Sequence, residues 1–257
     1  MFLFPLAWVI FYIPTILADE SGALVSGKRI SDYSASELWA RKGPKAPLPP
    51  PNGTSPHFKA LVIGHALLCV FGFAVLLPAG VFLARYLRTF RPWWYNAHWI
   101  MQAGIAGPVI TIGVVLGYMA SGAFGKTAGD NHKTYGSVLF YIYFAQCIFG
   151  ALIHYVKPKN ATRRPPQNYV HALLGLVILS LGMYQIRTGY HQEWPQYVGE
   201  GILPAGVTSL WLVWCILLPI AYGAGMYFIR LQYRQEAVAR LRIRKPGLPL
   251  QMSELEV

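Results

Sequence analysis

Charge is scarce. Asp, Glu, Lys and Arg together make up 12% of the 257 residues, about half the share found in a soluble domain. So small a polar complement excludes an ordinary water-soluble enzyme and a disordered chain. Acids are scarcer still, 10 against 22 Lys and Arg, which leaves a net charge of +12. In an apolar chain, basic residues more often mark cytoplasmic loops than nucleic-acid contacts, and no nucleic-acid partner is expected. Cys69, Cys147 and Cys215 each lie in the middle of an apolar run, where they behave as small hydrophobes. There is no disulfide scaffold, no Cys-x-x-Cys and no Cys-x-x-Cys-His, so neither a zinc ribbon nor covalently attached c-type haem is supported. The P-loop and the strand-borne G-x-G-x-x-G of nucleotide binding are missing as well.

What the chain does have is long apolar segments. Met1 to Leu17 is apolar but broken by Pro5 and Pro14. It is short for a bilayer span of about 20 residues. Residues 1–18 therefore read as a signal peptide. Residues 19–57 form a polar, Pro-rich extracytoplasmic arm. Five segments follow, about Phe58 to Leu87, Asn96 to Ala120, Lys133 to Val156, Tyr169 to Ile186 and Ala205 to Ile229. Each suits a membrane-crossing helix. The expected fold is an all-α membrane protein, a bundle of five transmembrane helices, or six if the N-terminal segment is retained. Its membrane domain spans 58–230, and 231–257 is a basic tail. Pro78, Pro108 and Pro219 predict kinks. No internal repeat stands out.

The basic residues orient the bundle in the lipid bilayer. Arg85, Arg88, Arg91, Lys157, Lys159, Arg163 and Arg164 fall on one side, with Arg230, Arg234, Arg240, Arg242, Arg244 and Lys245 of the tail. The opposite loops hold Lys126, Lys133 and Arg187. The first side is therefore cytoplasmic, and so is the C-terminus. Asn52 heads an Asn-Gly-Thr glycosylation sequon in the arm on the other side. The sequon at Asn160 falls in a cytoplasmic loop and should stay unmodified.

Histidines carry the chemistry. His65, His98, His132 and His171 sit near the starts of four successive spans. Successive spans alternate in direction, so His65 and His132 share an outer level while His98 and His171 share an inner one. Ionisable groups inside a bilayer are costly and rarely idle. Two neutral imidazoles at equal depth on facing helices suit the axial positions of one haem iron. Two such pairs give a four-helix di-haem core, a relay across a bilayer too thick for one electron hop. Gly136 and Gly175 lie four positions after His132 and His171, Gly72 seven after His65, and Gly104 near His98; these small residues could leave flat space for a porphyrin. Gly150 is five full turns from His132 and shares its stripe. A lone membrane histidine is more often a hydrogen-bond partner or a proton carrier than a ligand. Zinc transport is a weaker rival, because Asp130 is the only acid near the four.

The strings Gly-His-Ala-Leu-Leu and Leu-Leu-Pro-Ala-Gly, His-Lys-x-Tyr-Gly, Gln-x-x-x-Gly-x-x-x-His from Gln146 to His154, and His-Ala-x-x-Gly resemble the cytochrome b561 family. So do the spacings of 33, 34 and 39 residues between the four histidines. The likeness runs over about 58–230. The Pro-Ala-Gly after the first helix core is more like members fused to extracellular DOMON domains, many of them fungal; a 39-residue arm is too short for such a sandwich. The resemblance implies two b-type haems, one on His65 and His132 and one on His98 and His171. It also implies electron transfer from cytoplasmic ascorbate, or a similar anionic reductant, to an extracytoplasmic acceptor such as monodehydroascorbate or ferric chelates. The family's basic donor site would fall at Arg85, Arg88 and Arg91, and a homodimer is compatible with the likeness.

His154 shares the inward stripe of His132 at the cytoplasmic end, and with Gln102 it is a candidate haem-propionate or proton partner. Arg187, Tyr190 and His191 read as an outer loop. The protein would then be an oxidoreductase of a plasma, secretory or vacuolar membrane. Two rivals stand beside this: a proton-coupled transporter whose histidines carry protons, and a membrane subunit that donates electrons to a separate secreted redox protein. An NADPH-linked ferric reductase is disfavoured, because paired histidines on one helix and a nucleotide module are both missing.

Overall fold

The computed structural model describes residues 24–25, 28–29, 55–123, 131–156, 165–198 and 203–244. The signal-peptide reading, a sixth helix, the sequons at Asn52 and Asn160 and residues 245–257 lie outside these. Apart from an antiparallel pairing of Leu24–Val25 with Lys28–Arg29, every described element is helical. Five helices are long and apolar enough to cross a membrane: α1 Pro56–Phe90, α2 Trp94–Gly122, α3 Asn131–Tyr155, α4 Gln167–Glu193 and α5 Gly206–Ala239. The chain is an all-α, multi-pass integral membrane protein.

The boundaries follow from local chemistry. Ser55 caps α1, its hydroxyl oxygen accepting from the Phe58 N–H at 3.2 Å, and Pro56 occupies the first helical position where no N–H is needed. Pro92 separates α1 from α2. Helices α4 and α5 run further than hydropathy indicates. The apolar run of α4 ends near Ile186, yet the backbone continues through a wide π turn at Gly189–Glu193. Helix α5 continues into the polar helix Ile229–Arg244. Polar ends do not stop a helix unless a breaker stands there.

Similar π turns interrupt α1 at Phe71–Leu76 and Leu83–Leu87, and α2 at Ile100–Ile105. Two of them lie within a few residues of Pro78 and Pro108, which have no N–H to continue the ladder. The Ala74 carbonyl, in the first of these turns, accepts from the indole N–H of Trp214 on α5 at 2.7 Å.

Helix α1 packs along α2, and α3 along α4. The four meet at a dry plug of Phe73, Leu76, Leu77, Ala106, Ile110, Leu139, Tyr143 and Ile178. Helix α5 seals the flank of α1 and α4 through Ala74, Met183, Trp211 and Cys215. The outer surface is apolar: Leu67, Tyr141, Ile148, Leu210 and Ile220 are all exposed. In water that belt would be an aggregation surface; against lipid it is the expected exterior.

Candidate functional site

The two histidines at each expected depth face one another in the bundle. His65 of α1 and His132 of α3 have centroids 6.2 Å apart and ring planes at 83°. At the other end, His98 of α2 and His171 of α4 lie 6.4 Å apart at 82°. Two imidazole nitrogens bound on opposite sides of one metal ion, at about 2 Å each, put the ring centroids a little over 6 Å apart. Both pairs match that separation.

The other ring nitrogens are occupied in three of the four. His65 Nδ1 lies 2.8 Å from the Gly113 carbonyl, and His98 Nδ1 lies 2.8 Å from the Gly80 carbonyl. A carbonyl only accepts, so each Nδ1 carries the proton and the lone pair sits on Nε2, the form in which imidazole binds a metal. His132 Nδ1 is 2.8 Å from the Thr188 hydroxyl.

The bonds are reciprocal within each antiparallel helix pair. Gly80 is fifteen positions after His65, and Gly113 fifteen after His98; each histidine bonds the other helix's glycine. A Cβ at Gly113 would meet Cys69 Sγ at 2.9 Å, and one at Gly80 would meet Gln102 Nε2 at 2.7 Å. Cys69 and Gln102 are in turn the residues four after their histidines. Helices α3 and α4 repeat the device. Gln146 donates to the His171 carbonyl at 2.6 Å and Gln185 donates to the His132 carbonyl at 2.7 Å. The backbones that carry His132 and His171 are thus pinned from the facing helix.

The glycines serve side chains rather than open space. A Cβ at Gly136 would come within 2.8 Å of Gln185 Nε2, and one at Gly175 within 3.3 Å of Gln146 Nε2. Gly72 receives Ile110, while Gly104 has, among the described residues, only Ile100 of its own helix nearby. The glycines that touch histidine rings are others: Gly117 beside His65, Gly150 beside His171 and Gly189 beside His132.

The remaining candidates scatter. Gln102 donates to the Leu77 carbonyl at 3.1 Å, and its own backbone carbonyl accepts from the Tyr143 hydroxyl. His154 stacks face to face on Tyr95, centroids 3.5 Å apart and planes 8° apart. The three arginines do not converge. Arg85 donates to Met226 Sδ and lies over Tyr222. Arg88 pairs with Glu236 and stacks on Trp94. Arg91, at the end of α1, is exposed. Arg187 is no loop residue: it lies in α4, buried against Trp211, and donates to the Tyr190 hydroxyl at 3.2 Å. Tyr190 and His191 belong to the wide turn that continues the same helix.

Among the described residues, no three His, Cys, Asp or Glu side chains gather as an ion site. Two-histidine pairs suit a metal that brings its other ligands with it, as haem iron does in its porphyrin. Residues 64–196 match the family model of eukaryotic cytochrome b561. The chain belongs to the cytochrome b561 family. The family binds haem b, and its members are membrane oxidoreductases of transmembrane electron transfer. Three cytochrome b561 and DOMON domain-containing proteins of Arabidopsis thaliana are each 27% identical to this chain, over 139, 175 and 155 residues. The matches cover 53, 61 and 58% of this chain and 36, 42 and 29% of those proteins. The chain therefore spans less than half the length of these curated relatives. No solved structure matches it.

The two carbonyl acceptors, the pinning role of Gln146 and Gln185, and Thr188 were not expected from the sequence. The glutamines left a signal: each lies fourteen positions after a ligand candidate, in segments offset by 39 residues.

Proposed function

We propose that this chain carries single electrons across its membrane through two b-type haems, one held by His65 and His132 and the other by His98 and His171. The observation that carries the reading is the pair of centroid separations, 6.2 and 6.4 Å, together with the Nδ1 protons of His65 and His98, one in each pair, held away from the gap. When bound, haem supplies a one-electron iron couple at each level. The protein supplies the rest. Gly113, Gly80 and Thr188 fix ring orientation, and Gln146 and Gln185 hold the ligand backbones. The apolar plug around Ile110 and Tyr143 excludes water between the levels, which lowers the local dielectric and the reorganisation that charge movement would require. Fifteen residues of helix at 1.5 Å each separate the levels by about 22 Å.

The basic end is the cytoplasmic one, and ascorbate or a similar anionic reductant delivers electrons there. Arg91 contributes to the attraction of an anion, and Arg85 and Arg88 also clamp α5. The acceptor is extracytoplasmic, of the monodehydroascorbate or ferric-chelate kind. A separate secreted redox protein is the alternative acceptor.

The test is a visible spectrum of purified, haem-replete protein, oxidised and then reduced by ascorbate, with haem counted per chain. The expected result is two low-spin haems, at least partly reduced by ascorbate, falling to one in His98→Ala or His171→Ala. Folded protein without haem would remove the electron-transfer reading and leave proton-coupled transport in its place.

A further inference from the structure

Helices α3 and α4 correspond at the positions that surround the histidines. His132, Gly136, Gln146 and Gly150 of α3 match His171, Gly175, Gln185 and Gly189 of α4 at a constant offset of 39. Because the helices are antiparallel, the correspondence acts as a local two-fold axis. Gln185 bonds the His132 carbonyl at 2.7 Å and Gln146 the His171 carbonyl at 2.6 Å. A Cβ at Gly189 would lie 3.3 Å from His132 Cε1, and one at Gly150 2.8 Å from His171 Cε1.

One position breaks the symmetry where it touches the ligands. Thr188 of α4 corresponds to Phe149 of α3. The Thr188 hydroxyl donates its own proton to the Gln185 carbonyl at 3.0 Å, so a lone pair faces His132 Nδ1 at 2.8 Å. Phe149 offers His171 a tilted ring at 6.1 Å and no acceptor. His171 Nδ1 is buried without a hydrogen-bond partner among the described residues. The pair His65–His132 therefore has an acceptor on both ligands, and the pair His98–His171 on one.

We infer that Thr188 and Phe149 set the two haem potentials apart, Thr188 lowering the potential at His65–His132 and Phe149 leaving that at His98–His171 higher. This rests on the two-haem reading above. An acceptor on Nδ1–H draws the proton away from the ring and makes Nε2 a stronger donor, which favours the ferric over the ferrous ion. Losing that acceptor favours the reduced state. The outer site is thereby made the stronger reductant toward an acceptor, and the inner site the more readily filled by a donor. Thr188 is a positioning residue here, acting through His132.

Equilibrium redox titration of the purified full chain, followed in the visible spectrum, tests this. The unmodified protein should titrate as two one-electron components. Thr188→Val keeps the shape and removes the acceptor. It should raise one component by about a tenfold change in the reduced-to-oxidised ratio, 59 mV for one electron, and leave the other in place. Thr188→Ser keeps the hydroxyl and should leave both in place. Phe149→Thr supplies the missing acceptor and should lower the component that Thr188→Val does not move; it is informative even if Thr188→Val fails to load. Two haems per chain with both components unmoved in Thr188→Val or Phe149→Thr would overturn the inference alone. Fewer than two haems in the unmodified chain would overturn the two-haem reading beneath it.

Discussion

Gln185 donates its side-chain amide to the backbone carbonyl of His132 across 2.7 Å, from the helix that faces it. A helix carbonyl near the start of α3 already has its own ladder partner, so the extra bond is there for placement. It fixes the backbone from which one ring reaches the gap, and Gln146 does the same for His171.

Removing either bond should loosen one level and spare the other. Gln185→Leu is expected to weaken haem retention at His65–His132, and Gln146→Leu at His98–His171, each by about 10- to 100-fold as for other groups that support a metal ligand. Transfer of haem to an excess of apomyoglobin measures this directly. Equal loss from both levels in either variant would show a general failure of packing instead.

Glycines that face the four histidine rings should be intolerant in a graded way. A methyl at Gly117 would lie 2.6 Å from His65 Nδ1, and one at Gly150 2.8 Å from His171 Cε1, while Gly122 has nothing within 4 Å among the described residues. Gly117→Ala and Gly150→Ala should each cost one haem per chain, and Gly122→Ala none. Haem-to-protein ratios after purification decide it, with circular dichroism to show that the helices remain.

The five spans and the pairing of four histidines were legible because both depend on quantities a sequence carries: apolar length, and depth counted along helices of alternating direction. The support around them was not. Gly113 and Gly80 act through carbonyls, which every residue has, so residue type gave no sign of the acceptor. Gln146 and Gln185 became visible only when α3 and α4 were laid antiparallel and the 39-residue offset acquired a geometric meaning. Arg187 looked like a loop residue because charge ended the apolar run; the backbone stayed helical and Trp211 covered the guanidinium. Glu236 lies in a stretch of polar helix where nothing in the sequence points to Arg88.

Trp214 should matter more for stability than for redox chemistry. Its indole N–H meets the Ala74 carbonyl at 2.7 Å, in the irregular turn ahead of Pro78. Trp214→Phe keeps most of the ring volume and leaves that carbonyl without this donor, at an expected cost of about 1 kcal/mol. Thermal unfolding in detergent should register the loss, with haem spectra and potentials unchanged in the surviving protein.

The basic end offers a pair of substitutions with opposite expected signs. Arg91 is exposed at the end of α1, and Arg88 nearby is paired with Glu236. If an anion is drawn to this end, Arg91→Gln should slow reduction by ascorbate by about two- to fivefold, because the field beside α1 loses an exposed charge that no carboxylate among the described residues cancels. Glu236→Gln should speed it, because Arg88 then adds to the field instead of cancelling a carboxylate. The side chains of that pair are about one-fifth exposed, and Glu236→Gln keeps an amide oxygen that can accept from Arg88. Stopped-flow reduction at low and high ionic strength separates the charge effect from damage: both changes should shrink as salt screens the surface, whereas a loosened α5 would slow both variants at every salt concentration. Two variants that move in the same direction would remove the anion-steering role from these arginines and leave them as the clamp that holds α5.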